Sequence, residues 1–468
     1  MKAQDAVDEC LKEFARVQPN GVLDASQLPR DGRLPAMLRA ENSKEIWFSS
    51  RALECVNWLG RLLHQELKVD GVIRVEEFSG LVRKALVDGY CDGRLVCGDS
   101  ALLEGIRQML AVSLDAAKRS ITHSFPAWSV ELGGQALQVG PATIYPLAQW
   151  LRRQQFSARV GAAFFTPELP EAGWKVRFEA YLSGELEQQH VDPACMLADA
   201  VGDCSHVVVV TMPPMEGEIS RQQARLLAQA ALDVIALIFE SPMYHRRWIL
   251  RDQPSAPECY GEVSAFDFAL SVPSAPKHDH RSPFSARKNA EALGRRGGLV
   301  EAAGQVLDAV QSSDPDAVNI DSARRWFTAL MWAGQGAREP NDAIASTQFA
   351  SSLDILARAN GYHPILEMAC GLLGVSPEAV VTRSSPSHRS GMTLRQVVKC
   401  VYGRGRSQVL HGSIVNPMDR HAVEREMGGF LARACLREAV LVVPKMDDRV
   451  GQNFWSARSS SSDSESPV

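Results

Sequence analysis

The segment YGRGRSQVLHG, residues 402–412, lies near the end of a predicted helix and contains two glycines, Gly403 and Gly405. Each glycine within a helix costs about 0.5–1 kcal/mol relative to alanine, so another interaction is expected to compensate. Close approach of a second helix would do so. If that helix belongs to a twofold-related copy of the chain, two copies of the same Arg and His side chains meet at one seam.

The charged side chains of this segment are related by helix geometry. On an ideal helix Arg404 and His411 share a face, whereas Arg406 and His411 are about 140° apart. Pairing of Arg406 with His411 therefore requires the helix to turn near Gly412, a residue type that commonly ends helices. The alternative is that Arg406 and His411 only cap the carboxyl end of the helix, where the macrodipole favours cations.

Five helices are predicted between residues 321 and 443, and their short connections indicate a bundle. The first can be capped by Asp321 or Ser322, and the fourth begins with Thr393 and Gln396 at the spacing of a capping box. The apolar stripes of the five helices contain, in order, Trp326, Phe327, Leu330 and Met331; Phe349, Leu353 and Leu356; residues 365–373; Leu394, Val397, Val398 and Val401; and Val423, Met427, Phe430, Leu431 and Ala434.

The first 272 residues combine two kinds of pattern, which predicts a mixed helical and sheet module. Residues 1–120 have helical spacing, most clearly at 46–67 and 75–90. Short runs rich in β-branched and aromatic residues then predict strands. The predicted strands are 128–132, 159–165, 174–182, 206–212 and 262–272, with a long amphipathic helix at 219–240.

The stretch PSAPKHDHRSPFS at 273–285 has no periodicity and predicts an interdomain linker. Before it we expect a helical segment at 1–120 and a mixed sheet and helix segment at 121–272. After it we expect a helical domain at 286–450 and a disordered Ser-rich tail at 451–468. The predicted fold class is α+β, with a mixed helical and β amino-terminal region and an all-α carboxy-terminal bundle.

Length and composition are typical of a multidomain globular protein without a membrane anchor. A chain of 468 residues exceeds what one hydrophobic core usually organises, and its 45% hydrophobic and 22% charged residues fit packed domains. No run reaches the roughly 18 apolar residues of a membrane span, and the acidic, polar start does not resemble a secretory signal. A cytoplasmic location is expected.

Several common site chemistries have no support in the sequence. The ten cysteines are scattered, and the nearest cluster, Cys195, Cys204 and His206, falls short of the four convergent ligands of a zinc site. The motifs of P-loop NTPases, zinc metalloproteases and serine hydrolases do not occur. We therefore expect neither a metal nor a cofactor. Residues 321–445 hold fifteen Lys/Arg against ten Asp/Glu, which fits a phosphate-binding segment and equally an ordinary solvated surface.

The helix containing residues 402–412 resembles the Apea-like branch of the HEPN ribonuclease family. Members of that family carry an Arg followed, after four to six residues, by a His, and here four residues separate Arg406 from His411. A tyrosine, an Arg-Ser pair and a His-Gly pair are typical of the branch, and Tyr402, Ser407 and Gly412 complete them. Many HEPN nucleases have Asn, Asp or His where this chain has Ser407.

Two earlier helices extend the resemblance. RRWFTALMW at 324–332 and FASSLDIL at 349–356 are similar to the family, with Asp354 where a glutamate is usual. The resemblance implies a homodimeric helical bundle that cleaves RNA without a metal, at a site where two subunits meet. It also implies a bacterial toxin-like or anti-phage effector that acts on RNA, with tRNA among the candidates. Its amino-terminal module would sense an unidentified trigger or present RNA.

The resemblance further implies a role for each candidate residue. Arg406 would stabilise phosphate charge, and His411 would transfer protons because an imidazole exchanges them near neutral pH. Asp354 would orient one of the two. Whether Arg404 or Arg406 is the main catalytic arginine stays open. The candidates for binding RNA or phosphate are Arg404, Ser407 and Tyr402.

Two other functions are compatible with the same residues. A catalytically inactive HEPN module would act in dimerisation or in binding RNA or nucleotides, and it would leave RNA intact. A regulator that binds a nucleotide-like ligand is the third possibility, which calorimetry with nucleotides would separate. For Arg404 a solvated surface role, and for Tyr402 a packing role, stand beside the functional ones.

Overall fold

The computed structural model describes most of the chain, and the described part has an α+β fold. The described residues are 2–18, 24, 36–128, 132, 134–155, 165, 172–189, 191–239, 242–253, 264–266, 269–271, 286–312, 319–358, 361–382, 391–407, 409, 421–448 and 453. By internal contacts the chain divides into two compact units, Met1–Thr122 with Met212–Ala224 and His123–Thr211 with Arg225–Val468.

The predicted linker and tail fall outside this described part. The linker at 273–285 is one such stretch, and of the tail at 451–468 only Asn453 is described. The division into an amino-terminal module and a separate helical domain at 286–450 therefore stays a prediction.

Within residues 1–117, the described part forms helices and a small antiparallel sheet. These elements are α1 (Ala3–Val17), β1 (Ala36–Arg39), β2 (Glu45–Phe48), α2 (Ser50–Glu66), α3 (Val75–Cys91) and α4 (Leu102–Ala117). The predicted helix at 75–90 is confirmed as α3. The predicted helix at 46–67 is wrong at its start, because β2 pairs with β1 there. Since the Ser49 side chain accepts a hydrogen bond from the Ala52 N–H at 3.0 Å, the helix begins after it.

A five-stranded sheet and several helices follow. The elements are β3 (Arg119–Trp128), β4 (Leu137–Val139), β5 (Ala142–Pro146), α5 (Leu147–Arg153), α6 (Trp174–Ser183), α7 (Pro193–Val201), β6 (His206–Met215), α8 (Gly217–Ile238), α9 (Pro242–Arg247), β7 (Ile249–Leu250), β8 (Ser264–Phe266) and β9 (Ala269–Ser271). The strand order is β4-β5-β6-β3-β7, and the β4–β5, β5–β6 and β3–β7 pairs are antiparallel. The predicted strand at 206–212 and the predicted helix at 219–240 are confirmed as β6 and α8.

The strand predicted at 174–182 is wrong, because Trp174–Ser183 forms α6. Its large apolar residues, Trp174 and Phe178, are four apart and both are buried, which is the spacing of one helix face. Gly184, with φ +75°, ends the helix in the left-handed conformation that glycine adopts easily. The aromatic and β-branched content had favoured a strand, but this i, i+4 burial and the glycine cap determine a helix.

The other predicted strands have mixed outcomes. The run at 262–272 is not one strand, because β8 and β9 pair with each other as two short antiparallel strands. Of the run at 128–132, Trp128 ends β3, 129–131 lie outside the described residues, and Leu132 is described but belongs to no strand. Of the run at 159–165 only Phe165 is described, so that strand stays a prediction.

The carboxy-terminal part is helical, as predicted. Its elements are α10 (Ala286–Arg295), α11 (Gly297–Gln311), α12 (Ile320–Arg338), α13 (Asp342–Ala357), α14 (Tyr362–Leu373), α15 (Leu394–Lys399), a π-helix (Cys400–Ser407), α16 (Ala422–Val440) and a short 3-10 turn (Val443–Lys445). Helix α13 packs against both α12 and α16. Trp326, Phe349 and Leu353 are buried, and the Trp326 indole N–H donates to the Leu436 carbonyl at 2.9 Å. The buried members of the predicted apolar stripes therefore meet in a core between these three helices, whereas Val423 of the stripe predicted for α16 is 37% exposed.

The start of α15 confirms the predicted capping box. The Gln396 N–H donates to the Thr393 hydroxyl at 3.3 Å, and the Thr393 N–H donates to the Gln396 side-chain oxygen at 2.9 Å. Two of the N–H donors at this helix end are thus satisfied by residues three apart in sequence.

The start of α12 differs from its prediction, which placed Asp321 or Ser322 as the cap. The helix already includes both residues, and its cap comes from Asp448. One Asp448 carboxylate oxygen accepts the N–H groups of Asp321 at 2.8 Å and Ser322 at 3.0 Å. A carboxylate at a helix amino end also interacts favourably with the positive end of the macrodipole, which makes it a strong cap.

A buried charged cluster joins α8, α9 and α12 in the second unit. The Asp233 carboxylate is 1% exposed, and Nδ1 of His245 lies 3.2 Å from its Oδ1. Arg338 donates to both oxygens of Asp233, and Gln229 donates to Oδ1 at 3.2 Å. A β-carbon at Gly334 would collide with the Asp233 carboxylate, so the glycine is what allows α12 to approach it.

Candidate active site

The segment that carries the predicted site is a π-helix, which corrects the continuous α-helix predicted from Thr393 to Gly412. After α15 the backbone widens to i, i+5 hydrogen bonding over Cys400–Ser407. Such segments are rare and occur frequently at functional sites. Beyond Ser407 only Val409 is described before residue 421.

Packing compensates for one of the two glycines in this segment. A β-carbon at Gly405 would lie 3.3 Å from the Ser346 β-carbon and 3.5 Å from that of Glu424. The Thr347 hydroxyl also donates to the Gly405 carbonyl at 3.1 Å. Close approach of a second helix at Gly405 is therefore confirmed, with α13 and α16 of the same chain as neighbours. A β-carbon at Gly403 would have no described atom within 4 Å, so packing gives no reason for that glycine.

Arg406 is paired with Asp354. Its Nε lies 3.0 Å from Asp354 Oδ2, at ion-pair distance, but the N–H is not aligned for a hydrogen bond. The side chains are 23% and 7% exposed, so an arginine that still reaches solvent rests on a buried carboxylate of α13. Burial raises the pKa of the Asp354 carboxyl, although Arg406 and the Gly361 N–H act in the opposite direction.

Tyr402 is the third member of this group. The Arg406 guanidinium carbon lies 5.5 Å from the centre of the Tyr402 ring, and Nη1 lies 3.5 Å from the phenol oxygen. The first distance is that of a cation–π contact, whereas the second allows only a weak hydrogen bond. The ring and the Asp354 carboxylate together limit the positions that the guanidinium can take.

Arg404 is paired with a residue that the sequence did not single out, Glu424. Arg404 Nε lies 3.2 Å from Glu424 Oε1, and the side chains are 62% and 2% exposed. The one available sequence signal was an acidic residue in the first turn of α16, which is too common to identify a site. Burial, together with the Glu424 charge, raises the pKa of the nearby Cys400 thiol to about 11, so this cysteine is no nucleophile at neutral pH.

The structure brings together three of the predicted residues, Arg406, Asp354 and Tyr402, and places Arg404 in a separate pair. Ser407 ends the π-helix and is half-buried. His411 lies outside the described residues, so its position relative to Arg406 stays a prediction. The described arrangement offers two guanidiniums, each resting on a carboxylate and suited to grip phosphate oxygens.

The described ranges contain neither a metal-binding cluster nor a membrane-spanning helix. No group of three or more His, Cys, Asp and Glu side chains there is placed to hold a metal ion. Within the same ranges, every helix is too short or too polar to cross a membrane.

The structure holds a second buried ionisable site that the sequence did not predict. In the cluster of Asp233, His245 and Arg338, burial lowers the pKa of His245, whereas the Asp233 carboxylate acts to raise it. The His245 Nε2 is buried without a hydrogen-bond partner in the described part. The contacts among Asp233, His245 and Arg338 depend on three helices that pack together, and no local sequence pattern predicts such packing.

Comparison of the chain with protein-family models, with curated proteins and with solved structures found no match.

Proposed function

We propose that the chain is a metal-independent endoribonuclease of the HEPN type, with Arg406 and His411 as its catalytic pair. The observation that carries the proposal is the placement of Arg406, which rests on the buried Asp354 carboxylate at 3.0 Å and against the Tyr402 ring. With Nε facing Asp354 and Nη1 only in weak contact with the Tyr402 hydroxyl, the outer edge of the guanidinium can still grip phosphate oxygens. The family motif then supplies the histidine five residues later.

RNA needs no metal for its own cleavage, because the 2′-hydroxyl is a nucleophile beside the scissile phosphate. The enzyme has to move protons and stabilise charge. His411 serves the first task, since an imidazole with a pKa near 6.5 exchanges protons at neutral pH, and two such residues across a dimer act as base and acid. Arg406 serves the second. The products that the resemblance implies are a 2′,3′-cyclic phosphate and a 5′-hydroxyl.

The remaining residues have supporting roles in this proposal. Asp354 is a positioning residue for Arg406, since it lies beside the guanidinium and is too buried to meet RNA itself. Tyr402 holds the same guanidinium through a cation–π contact, and Ser407 and Arg404 contact RNA phosphates. The active form is a homodimer through the helical bundle, in the cytoplasm. The biological role is that of a toxin-like or anti-phage effector, whose trigger acts on the amino-terminal region.

A second function deserves a direct test, because both arginines are already neutralised. Arg406 and Arg404 each face a buried carboxylate, and two such ion pairs would also hold three helices together in a protein that cuts nothing. In that case the bundle is an inactive HEPN module used for dimerisation or RNA binding.

The test compares cellular RNA after expression of the wild-type chain, Arg406→Ala, His411→Ala and the control Arg221→Ala. Arg221 is 61% exposed on α8 and pairs with Glu218, so its loss removes the same charge without changing a contact of the candidate site residues. Sequencing of RNA ends should reveal new 5′-hydroxyl and cyclic-phosphate ends with the wild type and the control, and few with the two site variants. The purified chain should give the same ends in EDTA. Intact RNA in all four samples would contradict the nuclease and favour the inactive module.

A further inference from the structure

Glu424 is a buried carboxylate whose ion-pair partner is mostly in solvent. It lies in the first turn of α16 and is 2% exposed, whereas the Arg404 side chain beside it is 62% exposed. Contact is made through Nε, at 3.2 Å. Among the described residues Arg404 makes no other ion pair or hydrogen bond, so its outer Nη groups are available to a ligand.

A buried carboxylate is a poor way to stabilise a fold. The desolvation of a charge usually offsets its attraction to a partner, and an apolar residue of the same volume often does as well. The amino end of α16 reduces this penalty for Glu424, since the macrodipole favours an anion there. What the carboxylate adds over an apolar residue is a fixed direction for the guanidinium that contacts it.

The same arrangement occurs twice on the π-helix. Arg404 and Arg406 are two residues apart, and each meets a buried carboxylate through Nε, from α16 and α13 respectively. Gly405 lies between them and packs against Ser346 and Glu424, so the backbone that carries both arginines is held close to both helices. The two guanidiniums therefore project from one anchored segment.

We propose that Glu424 is a positioning residue that holds Arg404 as a second phosphate-binding arginine, for a phosphate other than the one gripped by Arg406. The inference rests on the proposed function, because it assigns RNA as the ligand. Each arginine is paired with an acid, so attraction by net charge is small and binding depends on the direction of the guanidinium. Loss of Glu424 should then weaken binding, although it removes a negative charge that repels RNA.

The experiment measures binding of the full chain to a fluorescein-labelled single-stranded RNA with 2′-O-methyl groups throughout. This probe lacks the attacking hydroxyl, so the result does not depend on cleavage. Four variants are compared with the wild type: Arg404→Ala, Glu424→Gln, the double variant and the charge-matched control Arg221→Ala. Salt is varied for each, and thermal unfolding shows whether each is folded. If Glu424→Gln does not fold, Glu424→Asp takes its place.

We expect Arg404→Ala to raise Kd roughly 3- to 10-fold and to lower the slope of log Kd against log salt by about 0.7, the loss of one phosphate contact on a single strand. Glu424→Gln should raise Kd roughly threefold, and it should add nothing in the Arg404→Ala background, because the carboxylate acts only through that arginine. The control should bind like the wild type.

The opposite results are equally clear. Tighter or unchanged binding by Glu424→Gln, or an equal loss with and without Arg404, overturns the positioning role. If the variants show the expected order of Kd values but the wild type leaves RNA uncut, the inference is supported and the nuclease proposal fails. If the wild type cuts RNA but Arg404→Ala binds the probe as tightly as the wild type does, only the inference is refuted. If the wild type binds no RNA, both the inference and the proposed function are refuted.

Discussion

Asp233 and Arg338 form a double contact in the core of the second unit, with Nη1 and Nη2 of the arginine 2.5 Å and 3.2 Å from the two carboxylate oxygens. Asp233 belongs to α8 and Arg338 to the last turn of α12, so the pair joins the helix that follows β6 to the first helix of the predicted bundle. The carboxylate is 1% exposed, and a buried charge with its partner removed is strongly destabilising.

Gly334→Ala should therefore destabilise the protein by about 1–3 kcal/mol, because the new methyl group would collide with the Asp233 carboxylate and lie 2.9 Å from Arg338 Nη2. Urea unfolding followed by tryptophan fluorescence measures the change. Gly294→Ala is the matched control, since Gly294 is helical and a β-carbon there meets nothing within 4 Å. If the two variants have equal free energies of unfolding, α12 can shift away from Asp233 without destabilising the protein, and the prediction is wrong.

Acid should destabilise the protein through His206, whose burial lowers its pKa to about 4. The unfolded chain binds a proton near pH 6.5, before the folded chain does. The contribution of His206 to the free energy of unfolding is therefore fully present above pH 6.5. As the pH falls toward 4, about 3 kcal/mol of that free energy is lost. Unfolding free energies at pH 7 and pH 5 should differ less in His206→Gln than in the wild type. His363→Gln, an exposed position on α14, should keep the full difference, and an equal slope in both variants would contradict the assignment.

Asp354→Asn should separate stability from activity. Because burial raises the pKa of this carboxyl, its stabilising contribution is present below the unfolded pKa and is lost as the pH rises through the folded one. At pH 7 the asparagine variant should be at least as stable as the wild type, and it should cleave RNA roughly 10- to 100-fold more slowly, since Arg406 is no longer held in place. Glu378→Gln, an exposed acid paired with Arg395, should change neither quantity. Wild-type cleavage by Asp354→Asn would remove the positioning role.

Asp448→Ala should lower stability by about 0.5–2 kcal/mol, the usual cost of a lost helix cap. The variant leaves the N–H groups of Asp321 and Ser322 without the acceptor that they have in the folded chain. Asp448→Asn retains an oxygen acceptor and should recover most of the loss, which separates the hydrogen bonds from the charge. If the alanine and asparagine variants unfold alike, the carboxylate charge rather than the cap is the source of stability.

Local signals in the sequence were enough for much of the helical part. The capping box of Thr393 and Gln396 is confirmed because both partners lie within one turn of each other. The strand predicted at 174–182 is wrong because tryptophan and phenylalanine four residues apart serve a helix face as readily as a sheet. Neither case needed knowledge of distant residues.

Long-range contacts account for what the sequence left out of the site. Glu424 meets Arg404 only because α16 crosses the π-helix, and no spacing rule relates two residues so far apart. The resemblance to a nuclease family did indicate Asp354 as a residue that orients Arg406 or His411, and the structure places it 3.0 Å from the arginine. The partnership with His411 stays a prediction.

The cap on α12 also has a consequence for the order in which the protein is made. Asp448 follows Asp321 by 127 residues. A ribosome that adds about 5–20 residues per second takes roughly 6–25 s to travel from one to the other. Throughout that interval the N–H groups of Asp321 and Ser322 lack their Asp448 acceptor, and α13 to α16 are synthesised before the cap on α12 can form. Formation of the Asp448 cap is thus one of the last steps in the synthesis and folding of these helices.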